Sequence, residues 1–265
     1  MKYNNKVFWV TGASSGIGEA LVYELLNRGA RIIASSNRED ELDVVRERCP
    51  ADKEHMLTTC VFDLAATNNI DLIVAEQIKR HGQIDVLLNI GGVSQRSKIV
   101  ETPLWLDRQI MEINYFGTIA LSKAVLPYMI GQGSGHIMAT SSISGRFGFP
   151  LRSAYSASKQ ALHGFFETLH IENKEHNVKA SVIIPGRVRT NISYNALTAS
   201  GEKHGKMDAG QAKGISPEKA ARIILRGLER NRREILVGGN ELFMLYIRKF
   251  FPSIFFNFAG RIKPH

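Results

Sequence analysis

Along the chain, short runs of nearly continuous apolar residues alternate with longer stretches whose apolar positions recur every three or four residues. Segments 7–11, 31–36, 57–63, 84–89, 135–141, 178–184 and 234–237 read as strands. Segments 17–28, 38–49, 68–80, 103–130, 153–175 and 217–231 read as helices. Strands without polar alternation are buried on both faces, as in a parallel sheet covered by helices on either side. Right-handed crossovers then predict a doubly wound α/β fold of about seven strands, with ligands at the carboxyl ends of the strands. No repeat or low-complexity linker interrupts residues 1–265, so one domain is expected.

Two segments break the alternation. Residues 187–216 carry Gly201, Gly205, Gly210 and Gly214, and a loop of that length predicts a lid over the substrate. The tail, 240–265, is rich in Phe, Tyr, Ile and Leu around Arg248, Lys249 and Pro252. Three occupants stay open for it: its own domain or a second subunit, a membrane face, or a lipid-like substrate.

Composition narrows the class. A 44% apolar content in 265 residues supports a sizeable core. Cys49 and Cys60 fit neither a disulfide framework nor a metal-ligand spacing, so no metal site is expected and the thiols suit a reducing compartment. The net charge is +9, and basic residues thicken at Arg226, Arg230, Arg232, Arg233, Arg248, Lys249, Arg261 and Lys263. No nucleic-acid motif accompanies them, so they read first as a solvated surface. No apolar run reaches the ~18 residues of a spanning helix. A soluble, cytoplasmic protein is expected, with peripheral membrane contact through the tail left open.

The chemistry starts at Thr11-Gly12-Ala13-Ser14-Ser15-Gly16-Ile17-Gly18, between the first strand and the first helix. In a Rossmann-like sheet, this is where a helix N-terminus offers unpaired N–H groups to a pyrophosphate, and glycines let the chain come close. The second strand ends Ala34-Ser35-Ser36-Asn37-Arg38, with no acid before Glu39. A carboxylate there would hold ribose hydroxyls; Arg38 instead meets a 2′-phosphate, which favours NADP(H) over NAD(H).

Tyr155 and Lys159 stand four apart on a helix, hence on one face. A free phenol has a pKa near ~10; a nearby ammonium favours its phenolate and fits it for acid–base work on a carbonyl or alcohol. Ser142 precedes Tyr155 by 13 residues and can orient the substrate oxygen. Phe147, Phe149 and Leu151 lie between them as candidate walls of an apolar pocket.

Together these motifs resemble the short-chain dehydrogenase/reductase family. The glycine spacing resembles its TGxxxGxG, Asn89-Ile90-Gly91-Gly92 its NNAG, and Pro185-Gly186-Arg187-Val188-Arg189-Thr190 its PGxxxT. The resemblance implies an oxidoreductase that uses Asn114, Ser142, Tyr155 and Lys159, with Asn114 helping to position Lys159 and a water relay. It places Asp63, with Leu64 beside it, at the adenine. It sets Asn89 and Gly91 beside the cofactor, and Pro185, Gly186, Val188 and Thr190 at the nicotinamide. It also implies a homodimer or homotetramer.

Asn114-Tyr115-Phe116-Gly117, Arg152-Ser153-Ala154-Tyr155, Thr190-Asn191-Ile192-Ser193, 195–199 and Gly205-Lys206-Met207-Asp208 resemble, more narrowly, the dehydrogenase/reductase member 7 and 7B group. That likeness implies a lipid-, steroid- or retinoid-like carbonyl substrate. The alternative function is a non-catalytic NADP-binding redox sensor.

Overall fold

The computed structural model describes residues 3–259. Seven strands form one sheet: β1 (Val7–Thr11), β2 (Arg31–Ser36), β3 (Leu57–Val61), β4 (Val86–Asn89), β5 (Gly135–Thr140), β6 (Val178–Pro185) and β7 (Glu234–Val237). Every pairing is parallel, in the order β3-β2-β1-β4-β5-β6-β7. All of β1 is buried, as an unbroken apolar run requires. Its Val10 pairs with Ala34 on one side and Leu88 on the other.

Helices cover both faces. On one, α1 (Gly16–Leu26), α2 (Glu39–Glu47) and α8 (Pro217–Glu229) bury Leu21, Leu42 and Ile224 against the sheet. On the other, α3 (Ile70–His81), α5 (Gly117–Gly131) and α6 (Ser153–Glu172) bury Val74, Leu121 and Phe166. Each such side chain contributes about 1.5–3 kcal/mol by leaving water. Trp9, fully buried in β1, donates its indole N–H to Ser35 Oγ at 2.7 Å, so its one polar atom is satisfied.

The departures from expectation lie at element ends. The third strand stops at Val61, leaving Asp63 in the following loop, and the fifth stops at Thr140, short of Ser142. The long helix expected over 103–130 is α4 (Leu104–Met111) joined to α5 by a π turn at Glu112–Phe116.

The 187–216 segment is more ordered than a bare loop. Val188 bridges Ile215, Leu197 bridges Gln95 and Lys203, and α7 (Ala209–Ala212) sits near its end. The tail forms α9 (Phe243–Phe250) and α10 (Pro252–Ala259), fastened where Phe255 packs on Phe147 with ring centroids 4.7 Å apart. Among the described residues no helix is long and apolar enough to cross a membrane. Arg261 and Lys263 lie outside the described residues.

Candidate active site

The strand order reverses between β1 and β4. There, Thr11 Oγ1 accepts hydrogen bonds from the N–H groups of Ile90 and Gly91, both at 3.1 Å. A cleft of about 580 Å³ opens at this switch point, on the carboxyl ends of the strands.

At one end the cleft is lined by backbone. Gly12, Ser14, Ser15, Gly16, Ile17 and Gly18 all face it. Gly12 has φ +62°, and a Cβ on it would sit 2.7 Å from Gly91 Cα, so only glycine lets the two turns meet. Ser15 precedes α1 without a side-chain cap, so the first-turn N–H groups are left for a ligand. This cradle fits the pyrophosphate of a dinucleotide.

Asn37, Arg38, Asp63 and Leu64 line the next stretch. Asn37 Nδ2 donates to Asp63 Oδ2 at 3.4 Å, and Asp63 Oδ1 accepts from Ala65 N at 2.8 Å. Arg38 pairs with Glu41 one helical turn on. Gly91 and, on the far wall, Pro185, Gly186, Val188 and Thr190 also face the cleft.

The other end brings Ser142, Tyr155 and Lys159 to one wall. Ser142 opens a short turn and its Oγ accepts from Ser144 N at 3.1 Å. Lys159 is buried, and its Nζ donates to Thr140 O at 2.8 Å. Its Nζ lies 5.9 Å from the centre of the Tyr155 ring. Burial pushes the Lys159 ammonium down to about 8. Burial also raises the Tyr155 phenol, while the Ser142 hydroxyl, Arg152 and Arg96 pull it back.

Of the predicted catalytic and cofactor-binding residues, Asn114 and Asn89 do not line the cleft. Asn114 is fully buried in the π turn, where Oδ1 accepts from Val93 N at 2.8 Å and Nδ2 donates to Val93 O and Ser158 Oγ. A Cβ on Gly92 would meet both Asn114 Oδ1 and Lys159 Nζ, at 2.7 and 3.1 Å, so Asn114 packs directly behind the Lys159 wall. Asn89 turns away: its Nδ2 donates to Ser122 Oγ and Met138 O, tying β4 to α5 and β5.

The substrate end is less apolar than the sequence suggests. Phe149 lines the cleft, but Phe147 belongs to the core and Leu151 does not reach the lining. Asp208, from the 187–216 segment, accepts from Arg96 at 2.6 Å and Arg152 at 2.8 Å, and all three side chains are nearly buried. Two arginines against one aspartate leave a net positive charge beside Tyr155.

Gln95, wholly buried, caps α6 from outside. Its Oε1 accepts from Ala154 N at 2.9 Å and Tyr155 N at 3.3 Å, and its Nε2 donates to Ser97, Thr102 and Ser153. Gln95 and Arg96 escaped the sequence reading; their only signal is a polar run in the loop after β4, Ser94-Gln95-Arg96-Ser97. Arg152 and Asp208 stood inside motifs of the narrower group without a role of their own.

The family described as short chain dehydrogenase matches over residues 6–200. The Drosophila melanogaster dehydrogenase/reductase SDR family protein 7-like is 40% identical over 255 residues, 95% of this chain and 78% of that protein. The Danio rerio dehydrogenase/reductase SDR family member 7B is 38% identical over 258 residues, 95% and 84% of the two chains. A short-chain dehydrogenase structure from Streptomyces avermitilis superposes with TM-score 0.80 at 28% identity, covering 98% of this chain and 97% of its own. A Burkholderia phymatum enzyme of the same family, solved in complex with NAD, shares the fold at TM-score 0.82 and 20% identity, covering 100% and 98%. The glycine cradle, the seven-stranded parallel sheet and these likenesses agree: the chain belongs to the short-chain dehydrogenase/reductase family of oxidoreductases.

Proposed function

We propose that this protein is an NADP(H)-dependent carbonyl reductase or alcohol dehydrogenase acting on an apolar, lipid-like substrate, with Tyr155 as its acid–base group. The observation that carries the reading is the meeting of Ser142, Tyr155 and Lys159 on one wall of a cleft whose other end is the glycine cradle. A bound nicotinamide would supply or accept the hydride.

The chain's own residues do the rest. Ser142 orients the substrate oxygen by a hydrogen bond. Tyr155, held protonated by burial, hands its proton to that oxygen in reduction and takes it back in oxidation. Lys159 and the net positive Arg96–Asp208–Arg152 group stabilise the phenolate left behind. Asn114 ties the Val93 backbone to the Ser158 hydroxyl, next to Lys159 on α6, and so positions it. Phe149, Ile192, Leu197 and Met244 give the substrate end its apolar surface.

The preference for NADP(H) rests on Arg38 at the cleft wall and on the lack of an acid over residues 34–38. Arg38 would have to share Glu41 with a 2′-phosphate. A panel of carbonyls and alcohols, followed by nicotinamide absorbance with NADPH and NADH in parallel, tests the reading. Tyr155→Phe should lower kcat about 10³-fold while cofactor affinity stays within about twofold. Near-normal turnover in that variant would end the mechanism. A preference of the parent protein for NADH would remove the Arg38 argument.

A further inference from the structure

We infer that α9 and α10 form a docking face for an anionic lipid bilayer, with the rim of the substrate cleft beside it. Phe243, Tyr246, Ile247 and Phe250 fall at i, i+3, i+4 and i+7 of α9, so they make one stripe along the helix. Phe251, Ile254 and Phe256 carry the exposed apolar surface on into α10. All seven side chains are 39–67% exposed. The fold does not need them, because Met244, Leu245 and Phe255 already pack the inner side of the tail on the core. An amphipathic helix normally has one apolar face; this tail has a second, turned to solvent.

Charge selects the occupant. After Glu241 the chain has no further Asp or Glu, but it has Arg248, Lys249, Arg261 and Lys263. The Arg248 guanidinium lies 5.0 Å from the Phe256 ring centre and the Lys249 ammonium 5.4 Å from that of Phe250. Cations thus stand among the exposed rings. In a two-fold pair of copies the same face meets itself, so Arg248 and Lys249 would confront their counterparts with no carboxylate side chain on α9 or α10 between them. At a membrane surface they meet lipid phosphates, while Phe and Tyr rings settle at headgroup depth. Each helix is only 8 residues long, so the contact lies in the interface and does not span it.

The position of the face gives it a use. Met244 and Glu241, at the start of the tail, line the cleft along with Phe149. The Phe147–Phe255 contact ties α10 to the segment between Ser142 and Tyr155. A bilayer on α9 and α10 therefore lies next to the substrate mouth, and an apolar substrate could enter from the lipid side. That last clause rests on the apolar-substrate reading; the docking itself does not.

Co-sedimentation of the full chain with vesicles tests the docking without turnover. One set of vesicles is phosphatidylcholine alone and the other contains phosphatidylglycerol as well. Binding should be about tenfold or more tighter on the phosphatidylglycerol set at low salt, from about 1 kcal/mol per basic residue at the surface, and it should weaken as salt rises. Arg248→Gln with Lys249→Gln should lose about 30-fold on that set. Phe250→Ser with Phe251→Ser should lose at least as much, with cofactor binding, read by nicotinamide fluorescence, unchanged as the control for folding. Parent protein that stays in the supernatant with both vesicle sets overturns the inference. So does light scattering in which the Phe250→Ser, Phe251→Ser variant splits an oligomer while vesicle binding holds, because the face would then belong to a second copy.

Discussion

At the glycine-cradle end of the cleft the lining is backbone: the first turn of α1 and a glycine turn pressed against Gly91. At the other end the lining holds buried and nearly buried charges, Lys159, Arg96, Arg152 and Asp208, drawn from separate stretches of chain. The two constructions load the fold differently. A backbone cradle costs conformational freedom and tolerates no added atom, but it buries no charge. A buried ammonium loses its hydration, and the fold carries that cost at working pH. The difference teaches where more stability is given up: at Lys159, beyond the entropy that the glycines cost.

Lys159 gives the largest test of that contrast. Burial pushes its pKa from the ordinary 10.5 of a lysine down to about 8 in the fold. Below pH 8 the amine is charged in both folded and unfolded chains, and the folded state bears the full penalty. The penalty fades between pH 8 and 10.5, where the folded amine is neutral and the unfolded one is still losing its proton. A shift of this size corresponds to about 3 kcal/mol. The lost hydrogen bond to Thr140 O gives back about 1 kcal/mol. Lys159→Met should therefore raise stability by about 2 kcal/mol at pH 7, with the gain vanishing above pH 10. Its kcat should fall about 10³-fold. Urea unfolding at two pH values, beside steady-state rates, measures both; a variant no more stable than the parent at pH 7 would remove the claimed cost. In the parent, carbonyl reduction should decline above pH 8 as the ammonium that supports the phenolate is lost.

Gly12 probes the other end. An added Cβ would meet the Gly91 backbone at 2.7 Å, at a φ of +62° that side chains resist. Gly12→Ala should weaken cofactor binding about 100-fold. It should leave the pH dependence of turnover at saturating cofactor as in the parent, since no charged group moves. Cofactor titration by fluorescence quenching reads the first; a changed pH profile would show that the two ends are not separable.

The same contrast explains what the sequence disclosed. The cradle is eight consecutive residues, Thr11 to Gly18, and Tyr155 and Lys159 share one helical face; both are local patterns, and the structure sets them on one cleft. The alternation of apolar runs likewise carried the seven strands and their parallel sense. Arg96 and Asp208 are 112 positions apart and meet only through the path of the 187–216 segment, which no periodicity encodes. Asn89 occupies a motif position yet points into the seam between β4 and β5, because Met138 O and Ser122 Oγ lie within reach of its amide. Which way a side chain turns at a strand end depends on partners that the sequence does not place.

Gln95 offers the smallest and most discriminating test, because it carries no charge and touches no ligand-facing atom of Tyr155. It is a positioning residue. Its carbonyl oxygen holds the first N–H groups of α6, including that of Tyr155, at a helix start where Arg152 supplies no side-chain cap. Gln95→Leu removes the acceptor and leaves those buried N–H groups unpaired. The helix start should loosen and kcat should fall about tenfold. Cofactor affinity, fixed by the backbone end, should hold within about twofold. Gln95→Glu keeps an oxygen for both N–H groups, and the hydroxyls of Ser97 and Ser153 can turn to donate to it. It should recover most of the lost kcat. If Glu fails to rescue, or if cofactor affinity falls together with kcat in the Leu variant, then Gln95 supports the whole loop after β4 and not the placement of one phenol.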